Sequence, residues 1–191
     1  PFSDRSAAAE RIARQGGLEK MVLETAAFPL TAFLRYRTGG DRDVLVVYIE
    51  GDGAAWVSRN WLSPDPTPRR PLSLMLAARD PSPCLAYLAR PGQYADPGRR
   101  IDPVYWSGKR FAPEVVASLS QALDILLTKT GTRRIRLVGY SGGAALAVLL
   151  AAGRPAGRGA PPVGGAGRGR ATVTRADAPR PPRDPPAAVA G

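Results

Sequence analysis

The stretch RIRLVGYSGGAALAVLLAA, residues 134–152, decides how this chain is read. Arg134 to Val138 reads as a short strand, Gly139 to Gly143 as a tight turn, and Ala144 to Ala152 as an apolar helix. The turn is Gly-Tyr-Ser-Gly-Gly, with Ser141 at its centre. A serine in a Gly-x-Ser-x-Gly turn between strand and helix is crowded by neighbouring backbone, and glycine at 139 and 143 relieves the crowding. Gly139, Tyr140 and Gly143 frame the elbow and lift the Ser141 hydroxyl above the carboxyl edge of the sheet. The helix behind offers free N–H groups and a partial positive charge to a developing oxyanion. Gly142 N–H is the first candidate donor.

A second donor is expected from the loop after the third strand. Val44 to Ile49 (VLVVYI) is a continuous apolar run, as for a strand buried on both faces. Glu50-Gly51-Asp52-Gly53 breaks it. Glycines let the backbone turn its N–H groups toward a bound substrate. Asp52 N–H is the leading candidate, with Gly53 next. An inward carboxylate at 52 would oppose an oxyanion, so its side chain is expected to turn away.

Further out, Asp4 to Gln15 has helical composition and stops at Gly16-Gly17. Met21 to Ala27 and Leu30 to Tyr36 read as a hairpin around Phe28-Pro29. Pro71 opens a helix to about Arg79, and Cys84 to Leu88 is a short apolar strand. Pro113 opens a helix to about Lys129, with Val115, Leu119, Leu123 and Leu126 largely on one face. After the hairpin, strand and helix alternate. That order predicts a mostly parallel sheet with helices on both faces.

These elements follow the order of an α/β-hydrolase. Over roughly residues 18–152 the chain resembles the N-terminal part of that family, and VVYIEGDGAAW and LVGYSGGAALAVLLAA resemble a bacterial subgroup of it. The resemblance implies a serine hydrolase acting on a small-molecule ester or acyl substrate. Ser141 would be the nucleophile, with Gly142 and Asp52 at the oxyanion hole. It implies no metal and no organic cofactor.

The family's acid and histidine follow the elbow, and here the sequence departs. The 191 residues contain no histidine. They cannot supply a Ser-His-Asp site, a His-ligated metal or an imidazole switch. Ser141 then has no base, and the chain is expected to be inactive or nearly so. From Gly153 to Gly191, 32 of 39 residues are Gly, Pro, Ala or Arg, and none is Leu, Ile, Phe, Met, Trp or Tyr. Such a segment cannot bury enough apolar surface to offset its ordering. No strand is expected in it. The chain thus divides into an N-terminal helical segment (1–17), a hydrolase-like core (18–152) and a disordered tail (153–191). GC-rich codons read out of frame give this tail composition, so a truncated or out-of-frame C-terminus is expected over a genuine basic extension. The fifth, central strand would then be an exposed edge that invites self-association.

Charge offers a rival reading. The net charge is +11, and the tail holds seven arginines against Asp177 and Asp184. A non-catalytic basic protein could bind nucleic acid or another acidic partner through such a tail. Its lack of aromatics and its scattered arginines count against nucleic acid. Cys84 is the lone cysteine, so an internal disulfide is excluded and a core role is expected. The longest apolar run, Ala144 to Ala152, falls far short of the roughly 20 residues that span a bilayer. A start at Pro1 leaves both a removed leader and a fragment open, and with them a cytoplasmic or exported site. Trp56, Trp61, Tyr94, Tyr105 and Trp106 lie in loops after strand ends. Partly buried packing is expected for them ahead of an acyl pocket.

Overall fold

The computed structural model describes residues 2–37, 43–96 and 98–154, together with the backbone of 170–177. Helix α1 (Phe2–Gln15) leads into strands β1 (Glu19–Glu24) and β2 (Pro29–Tyr36). Strand β3 (Val44–Ile49) is followed by a small hairpin, β4 (Trp56–Ser58) and β5 (Trp61–Leu62). Then come α2 (Leu72–Arg79), β6 (Cys84–Leu88), α3 (Pro113–Thr130), β7 (Arg134–Tyr140), α4 (Gly142–Ala152) and β8 (Arg170–Asp177).

Six strands form one sheet in the order β1-β2-β6-β3-β7-β8. β6, β3 and β7 are mutually parallel, as the strand–helix alternation implies. β2 and β8 run antiparallel to them, and β1, antiparallel to β2, runs with them again, so the sheet is mixed, with four of its six described strands in one direction. The hairpin turn is closed by Thr25, whose Oγ1 donates to Phe28 O at 2.6 Å.

Side-chain alternation sorts each central strand between two cores. Leu45, Val47 and Ile49 of β3, with Cys84, Ala86 and Leu88 of β6, pack against Val115, Leu119 and Leu123 of α3 and Leu146 and Leu150 of α4. Val46 of β3, with Leu85 and Tyr87 of β6, faces Ala9 and Ala13 of α1 and Leu74 and Ala77 of α2. Helices therefore cover both faces. Each large aliphatic side chain fully buried this way is worth about 2 kcal/mol. The N-terminal helical segment joins the same packed unit through Ala9 and Ala13. Cys84 is buried in the core.

The region after residue 152 departs from expectation at one place. Backbone 170–177 runs antiparallel to β7, with Leu137 opposite Val173 and Gly139 opposite Ala171. The expectations that no strand follows the elbow helix, and that β7 is a bare edge, do not hold there. The physical reason lies in β7, whose unpaired N–H and C=O groups are a template for any extended segment. The run Thr172-Val173-Thr174 is β-branched and suits one. The rest of the expected disordered tail lies outside the described residues, and with it most of the acidic-partner reading.

Candidate active site

The carboxyl ends of β3, β6 and β7 lie at one edge of the sheet, and the candidate residues meet there. Ser141 caps α4 with φ 53° and ψ −125°. A residue with a Cβ holds that conformation only where its surroundings impose it. The neighbours do so by close approach. A Cβ on Gly139 would lie 2.5 Å from Gly143 C and 2.6 Å from Ala144 Cα. One on Gly143 would lie 2.5 Å from Glu50 O. Glycine at both positions is what lets α4 start this close to β3 and β7. Ser141 O accepts from Ala144 N–H at 2.9 Å, so the helix begins at once. Its first N–H groups, Gly142 foremost, have no partner within the helix. Ser141 and Tyr140 are exposed, while Gly142 is buried.

The loop after β3 lies directly against this elbow. A Cβ on Gly51 would sit 3.1 Å from Tyr140 O and 3.5 Å from Ser141 Cβ. Gly51 N–H donates to Glu50 Oε1 at 2.9 Å, and Ala54 N–H donates to Pro66 O at 2.9 Å. Among the described residues, Asp52 and Gly53 are left as the loop N–H groups without such a bond. Gly53 turns the chain at φ 66°, packed against Pro66 O.

Asp52 does not turn away from the elbow. Its carboxylate pairs with the Arg90 guanidinium, and Arg110 Nε stands 3.8 Å off. Both partners crowd Gly142: a Cβ there would meet Asp52 Oδ1 and would lie 2.6 Å from Arg90 Nη1. The negative charge expected to point outward is instead neutralised in place. Arg90 is buried, which lowers its pKa, and Asp52 opposes that shift. Arg90 N–H donates to Gln93 Oε1 at 3.0 Å. Gln93 Nε2 donates in turn to Gly51 O at 2.9 Å. One side chain thus ties the loop after β6 to the loop after β3.

Glu50 is a buried carboxyl beneath the site. Burial pushes its pKa up, and the hydrogen bonds it accepts from Gly51 N–H and Tyr87 pull it back. Tyr87 Oη donates to Glu50 Oε2 at 3.1 Å. Burial first, then the Glu50 charge, push the Tyr87 phenol well above its usual range. It stays protonated and able to donate.

Sequence reasoning names Ser141, Gly142, Asp52 and Gly53, and the structure brings all four to one edge. It does not name Arg90, Gln93 or the Glu50 carboxyl. Position was the available signal for Arg90 and Gln93, since they directly follow a strand parallel to β3 and β7. A cleft of about 480 Å³ is lined by Ser141, Tyr140, Asp52, Trp56, Arg69 and Arg70. A larger one, about 650 Å³, lies between Asp65, Arg99 and Trp106 and does not include Ser141. The candidate residues Ser141, Asp52 and Gly53 line the smaller cleft. Tyr94 and Trp106 are buried, but Trp56 and Trp61 are not, so packing does not account for these two. Among the described residues, no group of three or more His, Cys, Asp or Glu is placed to hold a metal. No helix among them is long and apolar enough to cross a membrane.

No family model matches this chain, and no curated protein matches it significantly. Three solved structures are similar. One is a membrane phospholipase A described as a bacterial virulence factor, with 22% identity, 80% of this chain and 41% of that chain covered, and a TM-score of 0.43. A Pyrobaculum calidifontis esterase shares 14% identity over 78% of this chain and 45% of its own, with a TM-score of 0.41. A hormone-sensitive lipase from a metagenome library shares 16% over 82% and 48%, with a TM-score of 0.42. The chain therefore spans less than half the length of each. At these scores the overlap carries no weight in assigning chemistry.

Proposed function

We propose that this chain carries the nucleophile and the oxyanion donors of an α/β-hydrolase-type serine acyl hydrolase acting on a small ester. The observation that carries the reading is Ser141, exposed at φ 53° between β7 and the first turn of α4. In the first step the Ser141 hydroxyl attacks the ester carbonyl. The carbonyl oxygen becomes an oxyanion, which Gly142 N–H and Asp52 N–H, with Gly53 N–H beside it, would receive. The Arg90 pairing supports this, because it removes the net charge that an unpaired Asp52 would set against that oxyanion. The Ser141 proton must leave to a base, and the 191 residues contain no imidazole. Loss of the base costs up to roughly 10⁶-fold in a serine triad. This chain alone is therefore proposed to be inactive or nearly so.

Fluorophosphonate labelling tests both halves. The wild-type chain should label slowly, added imidazole should accelerate the reaction, and Ser141→Ala should not label under either condition. Rapid labelling without imidazole would overturn the inactivity. Labelling that ignores both imidazole and the Ser141→Ala change would overturn the assignment of the nucleophile.

A further inference from the structure

Beside the Ser141 cleft the β4–β5 hairpin stands apart as its own two-stranded sheet. Its base is anchored: Ala55 and Ser63 are buried, and Ser63 N–H donates to Ala55 O at 2.9 Å. All six residues from Trp56 to Trp61 are exposed. Trp56 is 51% exposed, Val57 56% and Trp61 70%. Large apolar side chains this open, grouped on one short hairpin, mark an interaction surface.

Charge selects the occupant. Arg59 sits in the turn of the hairpin, and Arg69 and Arg70 line the same cleft as Trp56, next to Leu72. All three arginines are exposed, and among the described residues none is in an ion pair. The neighbouring acids are engaged or enclosed. Asp52 pairs with Arg90 and Asp65 with Arg5, while Glu50 is buried. Among the described residues, the rim therefore offers indole, aliphatic surface and unpaired guanidinium, with no free carboxylate. Indole rings settle at the headgroup level of a bilayer, and guanidinium groups are drawn to anionic headgroups. A second copy of this face would set arginine against arginine. An acidic protein surface would match the arginines but would leave the tryptophans unexplained.

We propose that the 56–62 hairpin, with Arg59, Arg69 and Arg70, docks the chain on an anionic phospholipid bilayer, the mouth of the Ser141 cleft facing the lipid. The docking does not depend on serine chemistry. Its readout is sedimentation, into which labelling of Ser141 does not enter.

The test takes the full 191-residue chain and sucrose-loaded vesicles of phosphatidylcholine, with or without phosphatidylglycerol. The chain should sediment with the phosphatidylglycerol vesicles and release at high salt. Its tryptophan emission should shift to the blue and become shielded from acrylamide. Arg59→Gln/Arg69→Gln/Arg70→Gln should bind about a hundredfold more weakly. Trp56→Ala/Trp61→Ala should bind at least about tenfold more weakly and lose the shift. Buried Trp106 reports through near-ultraviolet circular dichroism that both variants remain folded. Failure to bind phosphatidylglycerol vesicles would overturn the proposal. So would unchanged binding by both variants, which would move the attraction to other arginines. Tryptophans already shielded without lipid would overturn it too, and would give the face to a second copy or another part of the chain.

Discussion

At Gly143 the space for a side chain is already filled by the end of β3. A Cβ there would sit 2.5 Å from Glu50 O and 2.9 Å from Glu50 C, both backbone atoms that cannot swing aside. Gly143→Ala should cost about 3 kcal/mol, at the upper end of overpacking penalties, read as a lower urea midpoint with an unchanged slope. Glu50 behaves differently, because its difficulty is charge rather than space. Its folded-state pKa lies above the ordinary 4.5 through burial. The folded state therefore binds the proton more tightly than the unfolded chain does. The stability this gives is fully present below the unfolded pKa and is lost as pH rises through the folded one. Melting curves from acid to neutral pH should show the wild type losing stability relative to Glu50→Gln. The amide can still accept from Gly51 N–H, and a parallel fall in both proteins would show that Glu50 is not responsible.

Among the elements, β7 and α4 were legible because their signals are local. A branched run, a glycine turn and an apolar run need only neighbouring residues to be read. Strand β8 was not legible, since its one short β-branched run, Thr172-Val173-Thr174, is set in a Gly-, Pro-, Ala- and Arg-rich stretch and has no local partner. It depends on the open edge of β7, with which it pairs from Arg134 to Tyr140. Deleting residues 170–177 should restore that bare edge. Sedimentation velocity should then show association that rises with concentration, and a monodisperse deletion variant would contradict it. The β4–β5 hairpin is a second case. Two tryptophans in a short stretch suggest packing, yet its anchors at Ala55 and Ser63 hold the strands out from the body.

Across the whole molecule, Arg35 joins parts far apart in the chain. It is buried in β2, and its guanidinium donates to Gly16 O at 2.6 Å, to Ser82 O at 2.9 Å and to Asp80 O. One side chain thereby fastens the end of α1 and the turn before β6 to the sheet. Arg35→Met keeps the apolar stem but leaves three carbonyls short of donors. A loss of about 3 kcal/mol is expected in urea unfolding. Arg35→Lys should recover only part of it, since one ammonium cannot reproduce the fork. What the sequence determined by itself was the order of the main elements from α1 to α4, without the β4–β5 hairpin, the glycine turn around Ser141 and the absence of imidazole, because each is written in adjacent residues or in composition. Tertiary structure alone decided the Asp52–Arg90 pair, the burial of Glu50, the pairing of β7 and the open tryptophan hairpin. Each of these depends on which segments meet across the sheet edge, and on how much water is left between them.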